Sequence, residues 1–127
     1  MKLRVYQYSK CGTCRKALNF LAAKGIDFVA VPIRETPPTA DELERMLERY
    51  GGQIRKLFNT SSQDYRNLNL KERLLTFTDA EAIALLAANG NLVRRPFVLT
   101  DNAGVVGFDE EEWQSFLSGR RTPNPSR

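Results

Sequence analysis

Apolar and polar residues alternate over Leu3-Arg4-Val5-Tyr6-Gln7-Tyr8, the period of two that marks a half-buried strand. Ser9 and Lys10 break the alternation and cysteines follow at 11 and 14. Ala17, Leu18, Phe20, Leu21 and Ala22 then recur at helical spacing until Gly25 stops the run. Asp27-Phe28-Val29-Ala30-Val31-Pro32 reads as a second strand, and strand, helix, strand in that order implies a parallel pair. After Pro37-Pro38, Thr39 with Glu42 forms a capping box ahead of Leu43, Met46 and Leu47, and Gly51-Gly52 ends that helix beyond Tyr50. Between Ile54 and Leu75 apolar residues are scattered among polar ones, which predicts short helices and turns. Thr78 with Glu81 is a second capping box, opening a helix through Ile83, Leu85 and Leu86 that ends near Asn89-Gly90. Arg95 to Thr100 predicts a short strand, Asp101-Asn102-Ala103-Gly104 a turn, and Val105 to Phe108 an antiparallel partner. Asp109 then caps a last helix with acids in its first turn and Trp113, Phe116 and Leu117 available to pack on the sheet.

A chain of 127 residues, 42% of them hydrophobic, is the size of one domain and long enough to bury a core without structural disulfides or metals. No run is apolar enough to span a bilayer and the start lacks a signal-peptide layout, so no membrane contact and a cytoplasmic location are expected. The net charge of +4 hints at an acidic partner, but its distribution changes that picture. Arg120, Arg121 and Arg127 lie in the last ten residues; taking these three from the 19 bases leaves 16 against 15 acids, a nearly neutral body. Residues 118–127, polar and containing Pro123 and Pro125, are expected to be a disordered tail. No DNA-reading motif or basic groove is present, so direct DNA contact is not expected.

Two cysteines three positions apart cannot staple distant parts of a scaffold. The pair is redox-active, metal-binding or incidental. With no histidine and no second CxxC, four zinc ligands could be completed only with carboxylates. A cysteine at a helix start faces unpaired backbone N–H groups and the positive end of the helix dipole, and both favour the thiolate. Lys10, Arg15 and Lys16 push the same way. Cys11, nearer the solvent, is the expected nucleophile, and Cys14, one turn in, the resolving thiol. Two small buried hydrophobes are the bland alternative. Thioredoxin-like folds set a cis-proline opposite such cysteines, and the Arg95-Pro96 bond is the candidate; a trans proline opening a strand is equally open from the residues.

Four blocks in order, Tyr8-Ser9-Lys10-Cys11-Gly12-Thr13-Cys14-Arg15-Lys16-Ala17, Leu57-Phe58-Asn59-Thr60-Ser61, Arg94-Arg95-Pro96-Phe97 and Val106-Gly107-Phe108-Asp109-Glu110-Glu111, resemble the glutaredoxin-like ArsC arsenate reductase family and its Spx/MgsR-like branch. The resemblance runs from about Lys2 to Leu117. It implies an α/β, three-layer thioredoxin-like core over residues 1–117, glutaredoxin-type, with a helical insertion at about 39–90. It implies Cys11 as nucleophile. Arsenate reductases of this family hold the oxyanion with three arginines. Arg95 matches one position, whereas Asn59 and Phe108 occupy the other two, which removes most of the charge an oxyanion needs.

The expectation that follows is a thiol–disulfide oxidoreductase: Cys11, Cys14 and Arg95 catalytic, and Lys10, Gly12, Thr13, Asn59, Arg94 and Pro96 around the substrate. Its partners would be glutathione or protein thiols, with no bound cofactor and glutathione as co-substrate. The branch resemblance offers a second expectation, a redox-sensing regulator that docks on the C-terminal domain of the RNA polymerase alpha subunit. Glutaredoxin-coupled arsenate reduction is a third, set back by the missing arginines.

Overall fold

The computed structural model describes residues 3–100 and 103–118; the expected turn at Asp101-Asn102 and all of the tail beyond Ser118 lie outside them. Strand β1 (Leu3–Gln7) runs parallel to β2 (Phe28–Pro32), with α1 (Gly12–Ala23) as the crossover. On its other side β1 meets β3 (Phe97–Leu99) antiparallel, and β3 meets β4 (Gly104–Val106), giving the sheet order β2-β1-β3-β4. Between β2 and β3 lie α2 (Ala40–Arg49), α3 (Gln63–Asn67), α4 (Leu70–Arg73) and α5 (Asp79–Ala88), with 3-10 turns at Ile54–Leu57 and Gly90–Leu92. The chain closes with α6 (Glu110–Leu117).

Alternation along the strands sorts their side chains onto two faces, and each face has its own core. Leu3, Val5, Val98 and Val105 pack with Ala17 and Leu21 of α1 and with Trp113 and Phe116 of α6. Tyr6, Phe97, Leu99 and Val106 pack on the other side with Leu43 and Met46 of α2 and Ile83 and Leu86 of α5. This is the expected three-layer α/β/α arrangement, with the insertion supplying one whole layer.

Both capping boxes form, at Thr39 and at Thr78. The first does more than end a helix. Its Glu42 is 6% exposed, and its carboxylate accepts from the Thr39 N–H at 3.0 Å and the Tyr6 hydroxyl at 2.7 Å while pairing with Arg4. One acid thereby ties α2 to β1.

Two boundaries and one pattern of burial differ from expectation, each for a physical reason. The strand expected from Arg95 starts at Phe97, because Arg95 and the cis Arg95–Pro96 bond precede the ladder. The strand expected at Val105–Phe108 is Gly104–Val106, because Gly107 turns the chain out of the sheet at φ +71°. The β2 run is apolar in sequence but sits at the sheet edge, so Val29 and Ala30 face solvent and only Phe28 and Val31 are partly covered.

Candidate active site

Cys11 ends the loop from β1 and is the N-cap of α1, with extended backbone (φ −91°, ψ 122°) and no side-chain cap. Its N–H donates to the Tyr8 carbonyl at 2.9 Å, and its own carbonyl accepts from Arg15 N–H at 3.1 Å, so the loop is closed on both sides of the sulfur. Cys11 is half-buried and Cys14 completely buried, one turn inside the helix; both are free thiols.

The two thiols are shifted in opposite directions from the ordinary thiol pKa. Burial by itself pushes the Cys11 thiol up, yet the N–H of Cys14, the Cys14 thiol, the N–H of Thr13 and the charge of Arg95 outweigh it, and Cys11 ends below the ordinary thiol range. Burial pushes the Cys14 thiol up to about 12, and hydrogen bonding to the Cys11 sulfur and its charge add to this against a backbone hydrogen bond at Tyr8 and the Arg95 charge. One thiol is held for ionisation and the other is held protonated.

The cation acting on Cys11 is Arg95, brought from the far end of the sequence, rather than the local basic flank. Arg15 and Lys16 project from exposed positions of α1, and Arg15 Nη1 turns back to the Ser9 carbonyl at 3.4 Å. Arg95 is not a solvated surface arginine. Its Nε and Nη1 are buried with no hydrogen-bond partner, and its guanidinium lies 5.2 Å from the centre of the Tyr8 ring. Arg34 stacks on the same ring at 4.9 Å and donates to the Tyr8 hydroxyl at 2.8 Å. A guanidinium buried in this way beside Cys11 keeps its charge poorly screened and favours the thiolate through space.

Around the sulfur lies a cleft of about 540 Å3 lined by Tyr8, Lys10, Cys11, Thr13, Arg94 and Arg95, with Asn59, Ser61, Ser62, Gly107 and Phe108 facing them. Of the residues expected at the site, Lys10, Thr13, Asn59, Arg94 and Arg95 therefore meet at Cys11. Pro96 and Cys14 are buried behind the wall, and Gly12 is exposed outside the lining. Gly12 opens α1, and Pro96 is buried with its carbonyl accepting from the Gly107 N–H at 2.9 Å. Asn59 reaches the cleft because Phe58 and Val93 form an isolated antiparallel bridge, with Asn59 N–H donating to the Leu92 carbonyl at 2.7 Å and Arg94 N–H to the Leu57 carbonyl at 2.8 Å.

Tyr8, Ser61, Ser62, Gly107 and Phe108 line the cleft without being among the site residues expected from the sequence. A glycine just before an aromatic and a helix cap is the signal that could have found Gly107. Its carbonyl accepts from the Trp113 indole at 2.9 Å, which anchors the chain as it leaves β4. Phe108 is locked edge-on against Phe20 and Trp113, with centroids 5.4 and 5.1 Å apart, so a fixed apolar wall stands where an oxyanion-binding arginine would be expected.

The ArsC family profile matches residues 6–116. The chain belongs to the ArsC family. Among ArsC-family relatives, the uncharacterized protein YusI of Bacillus subtilis is 41% identical over 90% of this chain and 97% of its own, and the regulatory protein MgsR of the same organism 31% over 98% and 97%. The crystal structure of an ArsC-family-related protein from Bacteroides fragilis superposes with a TM-score of 0.84 at 42% identity, covering 91% of this chain and 98% of that one. Proteins named global transcriptional regulator Spx, from Streptococcus pyogenes, and arsenate reductase, from Escherichia coli, are each 32% identical, over 85% and 77% of this chain and 79% and 68% of theirs. The family thus holds both regulators and reductases, and this chain is similar to both. No helix among the described residues is long and apolar enough to cross a membrane.

Proposed function

We propose that this protein is a thiol–disulfide oxidoreductase in which Cys11 attacks and Cys14 resolves. The observation that carries the reading is the asymmetry of the pair: a half-exposed Cys11 held below the ordinary thiol range beside a buried Cys14 held at about 12. The Cys11 thiolate displaces one sulfur of a substrate disulfide, which leaves as a thiolate and takes a proton from solvent. A mixed disulfide on Cys11 results. Cys14 then attacks the Cys11 sulfur, passing its proton to the departing second substrate sulfur, and the Cys11–Cys14 disulfide closes. The substrate gains two electrons and the chain loses two. Glutathione is the proposed co-substrate for return: two molecules give up their thiol protons and become glutathione disulfide as the dithiol re-forms. Arg95, with Arg94 beside it, steadies the thiolate or a carboxylate of the incoming thiol.

The experiment is turnover of a small disulfide with Cys11→Ser and Cys14→Ser. Loss of turnover in the first, and a mixed disulfide of defined mass accumulating on the second, support the reading. Undiminished turnover without Cys11 would end it.

Similarity to proteins named as regulators supports a second reading, in which the disulfide state docks the chain on the C-terminal domain of the RNA polymerase alpha subunit. Pull-downs with that domain, on reduced and oxidised protein, separate the readings; empty lanes in both states remove the second. Arsenate reduction is the weakest of the three, since Asn59 and Phe108 line the cleft where two arginines would be needed.

A further inference from the structure

A second groove of about 730 Å3 borders the cysteine cleft and shares Asn59, Ser61 and Arg94 with it. Phe58 and Leu74, both buried, form part of its apolar wall, and Arg55 and Lys56 stand on it with Arg94. No acidic side chain is among its lining residues. Leu75 also lines it and is 79% exposed, the most exposed large hydrophobic side chain among the described residues.

A small thiol such as glutathione has all the room it needs in the cleft at Cys11, whose volume already falls in the range of about 300–1000 Å3 usual for small-molecule sites. The second groove is surplus to it. A polypeptide differs, because its chain continues on both sides of the reacting cysteine and must lie against some part of the surface. Glu112, outside the lining, offsets part of the Arg94 and Lys56 charge, but Arg55 stands apart from it and no acid lines the groove, so the lining selects an acidic side chain, and the exposed Leu75 beside buried Phe58 selects an apolar one. The lining shared at Asn59, Ser61 and Arg94 sets the position of that segment: it lies beside the cysteine cleft, a few residues from the sulfur attacked by Cys11.

We propose that this groove holds a segment of a polypeptide substrate, so that the disulfide reduced at Cys11 belongs to a protein or peptide with an acidic and an apolar residue a few positions from its reactive cysteine. The proposal rests on the thiol–disulfide reading above and names its substrate class. The chemistry at sulfur is unchanged. The groove adds binding that a small disulfide cannot use.

The test compares three substrates on the full-length protein with glutathione as reductant: a peptide disulfide flanked by Glu and Leu, the same peptide with Lys and Ser in their place, and bis(2-hydroxyethyl) disulfide. The acidic, apolar peptide is expected to exceed the basic one in kcat/KM by on the order of tenfold at low ionic strength. The ratio should shrink as salt is added. Arg55 is exposed and donates to the Lys71 carbonyl at a long 3.3 Å, so Arg55→Glu should fold and should lower the ratio severalfold. Equal rates for the two peptides, or a ratio unmoved by Arg55→Glu, overturn the groove assignment. Continued reduction of bis(2-hydroxyethyl) disulfide in that case leaves the thiol–disulfide reading standing, whereas no Cys11-dependent turnover of any of the three overturns both.

Discussion

The guanidinium of Arg94 lies across the backbone of Gly107, where an added Cβ would stand 2.8 Å from Nε and 2.9 Å from Nη2. A side chain at this position meets the left-handed φ of +71°, and its Cβ also displaces the Arg94 guanidinium, which as the free end of an exposed side chain can swing aside. Gly107→Ala is expected to lower unfolding free energy by about 1–2 kcal/mol, nearly all of it from the backbone. Combining it with Arg94→Ala should leave that cost almost unchanged, read from denaturant midpoints of the four proteins in the cycle. A cycle far from additive would mean that Arg94 is held rigidly against Gly107.

Cys11 should react with iodoacetamide along a titration curve that lies below the ordinary thiol range, because the N–H groups of the first α1 turn and Arg95 stabilise its thiolate against the opposing effect of burial. Arg95→Met should move that curve to higher pH. The sign for stability follows from the same shift. A depressed folded pKa contributes stability that is present above the unfolded value of about 8.5 and is lost as pH falls through the folded one. Reactivity unchanged by Arg95→Met would show that the helix N-terminus acts without it.

Cys14 should be silent where Cys11 is not. Removing Cys11 takes away its hydrogen bond and charge, but the complete burial that does most to raise the Cys14 thiol remains, so in the Cys11→Ser variant alkylation of the native protein at neutral pH should be negligible and should appear only on unfolding. Ready labelling of Cys14 in the native variant would contradict its role as a protonated resolving thiol.

Glu42 is expected to be the most costly polar residue to remove. Glu42→Ala leaves the buried Tyr6 hydroxyl and the Thr39 N–H without their acceptor and releases Arg4, a loss of about 2–4 kcal/mol by chemical denaturation. Arg4→Ala should cost far less, because its side chain is half exposed.

Tyr6 adds a pH signature. Burial, then its hydrogen bond to Glu42 and that carboxylate's charge, push the Tyr6 hydroxyl up to about 12 against the Arg4 charge. A raised folded pKa contributes stability that is complete below the unfolded value of about 10 and disappears as pH rises through 12. Stability should fall over that interval and fall less steeply in Tyr6→Phe. Equal slopes would remove Tyr6 from the alkaline transition.

Local signals carried most of the element order. Thr39 with Glu42 and Thr78 with Glu81 are capping boxes in the chain and in the fold, since the bonds that make them span only three residues. Asp109 accepts from the Glu112 N–H at 3.2 Å for the same reason. The position of Cys11 at the start of α1 was equally legible, because the apolar period that follows it defines the helix. Strand ends were less so: nothing in Val105-Val106-Gly107-Phe108 by itself announces that Gly107 leaves the ladder and hands its carbonyl to Trp113.

What the residues decide alone is what depends on near neighbours: the helix that begins at Cys11, the thiol pair one turn apart, the caps, and the turn-forming glycines. What awaited the folded chain is everything that joins residues distant in sequence. Arg95 was legible as a cation beside a proline, but its burial against Tyr8, and hence its action on both sulfurs, exists only once β3 lies beside β1. Asn59 and Arg94 share a cleft only because Phe58 bridges Val93, and Phe108 becomes a wall only when α1 and α6 hold its ring between them. Caps and dipoles act within a turn, whereas desolvation and charge act through space, and space is assigned by packing.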